Sequence, residues 1–262
     1  MDKRKALPIS FMPAMVRAER AGLKTHTRRV ANIPAGWQLD TYLAAKPGYP
    51  ILGRITSAHP KRGRLGFFIE RRSDDFRETD IVPCPYGAPG DLLYVKEAAW
   101  MWCERIPNGT TPTGRAKYRY EPLRAAPIHY VADHPERPTV DVVSPDTGNQ
   151  FGWRYKVARF LPRWASRATL KITDVRVERL QEISEADATA EGAEPYDVAD
   201  LSASEVALLD APLMERDSPN RNGFALLWVS INGAGSWAKN PWVWVVKFTA
   251  HPINVDRFLE DH

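Results

Sequence analysis

The stretch RATLKITDVRV, residues 167–177, decides the fold class. Ala168, Leu170 and Ile172 alternate with polar residues, which is the period of a strand with one buried face. Val175 and Val177 resume the apolar face after a one-step change of phase, which predicts a bulge near Asp174. Downstream, PWVWVVKFTA at 241–250 is apolar at successive positions and predicts a central strand covered on both faces. Further strands are expected at 51–57, 65–70 and 92–97.

The expected helices are short. PAMVRAERAG at 13–22 has Pro13 for its first turn and Gly22 for its C-terminal cap. SEADATAEG begins at Ser184, has Asp187 three residues on as a capping box, and ends at Gly192. Ser202 with Glu205 repeats the box. In 220–232, Phe224, Leu227, Trp228 and Ile231 fall at i, i+3, i+4 and i+7, an amphipathic helix. Twenty-two prolines favour many short elements. Residues 31–50 read as loop, and 104–115 and 133–138 as turn-rich insertions. The expectation is a mostly β, α+β chain: a small β-barrel or twisted sheet with short peripheral helices and long insertions. A doubly wound fold ranks second.

The chain has 262 residues, 44% hydrophobic, enough for a core without disulfides or metals. Cys84 and Cys103 form no CxxC pair, which excludes a disulfide framework and a cysteine zinc ribbon. No apolar run reaches the roughly 18 residues of a membrane span, and MDKRKALPISF lacks a signal-peptide core. A soluble protein of the cytoplasm, with no membrane partner, is expected. Charge is unevenly placed. Residues 1–72 hold 15 Lys/Arg against 4 Asp/Glu, whereas 178–217 hold 12 acids against 2 bases. The basic part predicts an anionic partner, nucleic acid first; the competing reading is that the two parts neutralise each other in the fold. GxGxxG, Walker, HExxH and GxSxG motifs are absent, and the six histidines are scattered, His129 and His134 nearest. Neither cofactor nor metal is expected.

One segment concentrates chemistry. GLKTHTRR at 22–29 places Lys24, Thr25, Thr27, Arg28 and Arg29 together, hydroxyls beside cations, an anion site or an activated nucleophile. The bland alternative is a capped turn with solvated cations. Further binding candidates are Lys96 and Glu97, which face a cleft because the strand LLYVKE alternates or else make a cross-strand ion pair. Trp100 and Trp102 share one strand face and are candidates to stack on a base. Arg163 and Arg167 flank Trp164 and are candidates for phosphate.

GLKTHTRR, then YGAPGDLLYVKEAAW (86–100), RWASRATLKITDVRVERLQEISEADATAEGA (163–193) and FALLWVSINGAGSWAKNPWVWVVKF (224–248) together resemble the ASCH superfamily, most closely its large phage and prophage members. The blocks cover about a third of the chain. The resemblance implies one elaborated PUA-like domain over 1–262, with core blocks 8–30, 86–100, 163–193 and 224–250 and insertions at about 31–85 and 101–162. It implies a cleft for RNA or a modified nucleoside. A small bacterial enzyme of this superfamily deacetylates N4-acetylcytidine with a Lys and a Thr of a KTxT motif and a Glu at the end of the helix after the long strand. Lys24, Thr27 and Glu191 stand at those positions. By this analogy Thr27 attacks the acyl carbon, Lys24 activates it, and Glu191 delivers a proton to the leaving amine. The alternatives are a non-catalytic module binding RNA or modified nucleic acid and, below it, a ribonuclease.

Overall fold

The computed structural model describes residues 6–39, 50, 52–56, 60–72, 76–139, 142–143, 150–197, 202, 204 and 218–261. It is mostly β with few helices, and its strands form three open sheets. Among the described residues no barrel is closed by hydrogen bonds. No helix among them is long and apolar enough to cross a membrane. The first sheet has the order β1 (Ala6–Ser10), β7 (Leu92–Lys96), β13 (Thr169–Arg179), β14 (Trp242–His251), β2 (His26–Val30). The chain divides into two compact units: Met1–Leu7, Ala18–Leu93 and Leu170–His251 form the first, and Pro8–Arg17, Tyr94–Thr169 and Pro252–His262 the second.

In the first unit β14 pairs antiparallel with β2, Val245 opposite Arg28 and Val246 opposite Thr27. Val243, Trp244, Val245 and Val246 are all buried, as a continuous apolar run demands. Val243 and Val245 pack with Leu180, Ile183, Ala188, Phe224 and Trp228. Trp244 meets Phe67 with ring centroids 5.1 Å apart. β13 carries the expected alternation, and its burial slips phase where Thr173 and Asp174 are both exposed. A second sheet is built on β5 (Leu65–Arg72), which pairs with β3 (Gln38–Leu39), β4 (Leu52–Arg54) and β6 (Arg77–Pro83). Gln38 and Leu39 thus lie in a strand within the segment read as loop, because two residues are too few to show a period.

Helix α1 (Pro13–Arg20) ends as its sequence predicts. Gly22 has φ 73°, and the amides of Gly22 and Leu23 return to Glu19 and Ala18 in a Schellman arrangement. Helix α2 (Glu185–Ala190) is capped by Ser184, whose Oγ accepts from the Asp187 amide at 3.1 Å. The box is only half made, since the Asp187 carboxylate is turned to arginines.

Helix α3 (Pro219–Asn232) buries Phe224, Ala225, Trp228 and Val229, leaves Leu227 half-buried and exposes Ile231. The apolar stripe is therefore rotated from the expected one. Asn222 and Gly223 take the buried flank where the chain of Glu194–Tyr196 crosses, Tyr196 donating to Pro219 O. A Cβ on Gly223 would lie 1.7 Å from Glu194 O, a backbone atom that cannot swing aside. Gly223→Ala should gain about 1 kcal/mol in helix propensity and lose more to overpacking, typically 1–3 kcal/mol and here at the upper end or beyond. A lowered melting temperature is expected; an unchanged or raised one would show that the crossing chain yields freely. Glu205, of the second expected box, lies outside the described residues.

The second unit holds the third sheet. β8 (Ala99–Thr110) pairs with β10 (Ile128–Tyr130), β9 (Ala116–Pro122) and β12 (Gln150–Lys156), and β12 pairs with β11 (Val142–Val143). The region 104–115 is thus a long β8–β9 hairpin and not a turn-rich insertion. Its turn sits at Thr111–Arg115, and the Asn108-Gly109 pair is absorbed as a register shift between Pro107 and Thr110, with Gly109 at φ 76°. Ala99, Met101, Cys103, Leu161 and Ala165 form the buried cluster beneath it.

Candidate functional site

The segment after α1 is threaded between two elements of the first unit. The Thr25 amide donates to Ala190 O at the end of α2, and the Phe248 amide of β14 donates to Thr25 O. These two bonds bring Lys24 against Glu191, 167 residues away. Lys24 Nζ donates to Glu191 Oε2 at 2.7 Å, to Glu191 O at 2.9 Å and to His26 O at 2.8 Å. Three acceptors match the three donors of an ammonium group. Both side chains are buried, 0% and 2% exposed. Gly192 makes this closeness possible: its φ is 74°, and a Cβ there would stand 2.7 Å from Ala18 Cβ and 3.2 Å from Lys24 Cβ.

Burial pushes the Lys24 amine below its ordinary value, outweighing the Glu191 carboxylate that favours the charge. His26 is also lowered, by burial first, so its ring is neutral at neutral pH; its Nδ1 lies 3.0 Å from Thr25 Oγ1. Thr27 is fully buried, and its Oγ1 has no hydrogen-bond partner. Neither Lys24 nor Glu191 therefore bonds to the hydroxyl in this state. Thr27 and Arg28 are neighbours on β2 and point to opposite faces of the sheet.

Arg28 is the clearest correction to the sequence reading. Its side chain is 0% exposed and holds Glu178 at 2.9 Å through Nε, Asp187 at 2.9 Å and Glu191 at 3.2 Å. Its planar fork is filled by carboxylates, and its other side lies over the Phe224 ring, 5.8 Å from the centroid. Four of its five N–H donors go to carboxylates and the side chain is fully buried, so it is not offered to a phosphate. Burial opposes its charge, but Glu191 and Glu178 raise its proton affinity above the ordinary value. Arg176 closes the network on Glu178 and Asp187. Three cations, Lys24, Arg28 and Arg176, thus face three carboxylates, Glu178, Asp187 and Glu191. Sequence reasoning missed Glu178, Asp187 and Arg176 as parts of this site. The signal for the two acids was the acid-rich stretch from 178 onward, the natural counterpart of the basic N-terminal part; Arg176 had none. Arg29 is half-buried, and its Nη1 donates to Arg28 O.

The remaining candidates belong to the second unit. Lys96 Nζ donates to Arg159 O. Glu97 is buried and takes two bonds from Arg167, at 2.7 and 2.8 Å. For Glu97 the outcome is the ion pair, made with Arg167 just before β13, whereas Lys96 faces the other way to a backbone carbonyl. Arg163 bonds Asp256 at 2.9 Å. Trp164 packs on the buried cluster, with Arg124 5.5 Å above its ring. Arg163 and Arg167 are thus balanced by carboxylates and not offered to phosphate. Trp100 and Trp102 share a face, as expected; Trp100 meets Tyr155 edge-on at 5.2 Å and Trp102 meets Trp153 at 5.3 Å. The His129 and His134 rings are 5.5 Å apart, and among the described residues no group of three or more His, Cys, Asp or Glu is placed to hold a metal.

The chain matches no protein-family model, no curated protein and no solved structure.

Proposed function

We propose that this chain is an ASCH-type, PUA-like protein that hydrolyses the N-acyl amide of N4-acetylcytidine or a related modified base. Lys24, Thr27 and Glu191 carry the reaction. The observation that supports this reading is the direct contact of Lys24 with Glu191, three residues along the chain from an unpartnered buried hydroxyl. Lys24 passes a proton to Glu191 Oε2 across the 2.7 Å bond, leaving a neutral amine and a carboxylic acid. The lowered proton affinity of Lys24 favours this transfer. The Thr27 side chain, on the opposite face of β2 from Arg28, must turn toward the pair for the amine to take its proton as Oγ1 attacks the acyl carbon. Glu191 then gives its proton to the leaving amine nitrogen, and the acyl group remains on Thr27 as an ester. Lys24 is then again an ammonium and Glu191 a carboxylate, the starting state of the pair; water hydrolyses the ester, one of its protons going to Thr27 Oγ1 and the other leaving with the acid. Arg28 is a positioning residue, since it holds the second oxygen of Glu191.

A second reading, a non-catalytic module for RNA or modified nucleic acid, is favoured by closure. Lys24, Thr27 and Glu191 are each at most 2% exposed, so catalysis requires the cover over Thr27 to open. The test is chromatographic. The purified protein and its Thr27→Ala variant are incubated with N4-acetylcytidine and a panel of N-acylated nucleosides. Cytidine and acetate formed by the parent alone are expected, with turnover lost by at least about a hundredfold in the variant. No product from any substrate, or equal product from both proteins, overturns the catalytic reading.

A further inference from the structure

The β8–β9 hairpin of the second unit carries a face that the Lys24 reading does not use. Register places Arg105 opposite Tyr120 and Pro107 opposite Tyr118 on the hairpin, and Arg154 opposite Met101 on the next strand. Residues paired in this way share a sheet face. Gln150 is tied to the same face by its hydrogen bond from Arg105. Lys156, two residues from Arg154, points the same way. On this face Ala99, Met101 and Cys103 are buried, and the half-buried Arg105, Arg154 and Lys156 lie around Tyr118 and Tyr120 at its edge. The carboxylates of these strands, Glu104 and Glu121, are paired with each other on the opposite face. Among the described strand residues of the first face there is no acid.

The side chains are already ordered in alternation. The Arg105 guanidinium lies 3.5 Å from the Tyr118 ring centroid, and that of Arg154 4.2 Å from the Tyr120 centroid. Such cation–π stacks hold long side chains at fixed spacing, and guanidinium planes, like aromatic rings, accept a stacked base. Tyr118 and Tyr120 are 41% and 36% exposed, so both rings reach solvent beside the guanidinium stacked on each. They stand about 7 Å apart along the strand, a stride that successive unstacked bases can follow. A duplex keeps its base faces stacked inside, so it cannot use these rings.

We propose that this face of the β8–β9–β12 sheet binds single-stranded nucleic acid, bases stacking on Tyr118 and Tyr120 and phosphates meeting Arg105, Arg154 and Lys156. The inference does not rest on the catalytic reading, and none of these residues belongs to the Lys24 site. The class is sequence-tolerant, because stacking and phosphate contacts discriminate weakly among bases.

The test uses the full chain and fluorescein-labelled U20, dT20 and a duplex of equal length, followed by anisotropy over a range of salt. Binding of at least one single strand is expected, tighter than of the duplex. Three phosphate contacts predict a slope of log K against log salt of about −2. Tyr118→Ala with Tyr120→Ala should weaken binding by at least tenfold and leave that slope unchanged, since each stacked base is worth roughly 1–3 kcal/mol. Arg105→Gln with Arg154→Gln should flatten the slope by about 1.4. Unchanged melting temperatures show that the substitutions leave the fold intact. Equal affinity for duplex and single strand, or tyrosine variants that bind like the parent, overturns the proposal and leaves a generic patch for acidic polymers. Turnover of a free N-acylated nucleoside is unaffected by all four substitutions, so the failure of one reading is distinguishable from the failure of the other.

Discussion

Replacing Glu191 with alanine is expected to destabilise the protein by about 3–5 kcal/mol, the loss typical of breaking a buried ion pair from one side. Lys24 would keep only its two backbone acceptors, and its charge would lie in a site with no side-chain exposure. Arg28 would lose one partner but retain Glu178 and Asp187, so most of the cost falls on Lys24. The deficit has a definite pH dependence. Burial already lowers the proton affinity of Lys24 in the folded chain, and Glu191 is the group that raises it. Removing Glu191 lowers it further. Between that folded value and the ordinary value near 10.5, the unfolded chain holds the proton and the folded chain does not. Stability of the variant itself therefore rises with pH through this window, and it gains on the parent only between the variant's folded value and the parent's, which is higher. Urea melts at neutral pH and at pH about 9.5 measure both quantities. The double variant Lys24→Met with Glu191→Leu should recover most of the loss, because a well-packed apolar pair avoids the burial of charge. A single-variant loss under about 1 kcal/mol would mean that the pair is solvated and not buried.

The legible part of this fold is the part governed by period and by local caps. Val243 to Val246 could be read as a two-sided strand because an unbroken apolar run has one economical use in a sheet. Gly22 and Gly192 could be read as helix ends because both hold φ near 75°, where other residues are strained. The stripe of α3 was mislocated because which flank of a helix is covered depends on what crosses it, and the chain at Glu194 is remote in sequence. The hairpin was hidden because Asn108-Gly109 carries the strongest local turn signal and the structure uses it as a bulge. The charge pattern was legible but ambiguous. Its basic N-terminal motif predicted an anionic partner, and for Lys24 and Arg28 the anions are Glu178, Asp187 and Glu191 of the same chain. Only distance could decide between external and internal neutralisation. Of the candidate site, Lys24 and Glu191 are in contact, Thr27 is beside them in sequence but unbonded, and Arg28 supports Glu191 instead of facing a ligand.

Thr27→Val is expected to stabilise the protein while abolishing the proposed hydrolysis, and the two effects together are the sharpest test of that proposal. Valine is nearly isosteric with threonine and keeps the β-branch that suits β2. The only chemical change is a methyl for a hydroxyl that is fully buried and has no partner. An unsatisfied buried polar group costs about 1–3 kcal/mol, so its removal should return a gain of that order. The surroundings favour the methyl: Val246 is directly opposite Thr27, and both are buried. A chain selected only for stability would hold valine here, and functional sites are where such local penalties persist. Urea denaturation reads the first effect, and release of cytidine from N4-acetylcytidine the second. A stabilised variant with no turnover makes the hydroxyl a nucleophile held at a cost. A stabilised variant beside a parent that never turns over removes the catalytic role and leaves the penalty without a function. A destabilised variant shows that Oγ1 finds a partner in solution, and the Lys24–Thr27 relation must then be redrawn around that bond.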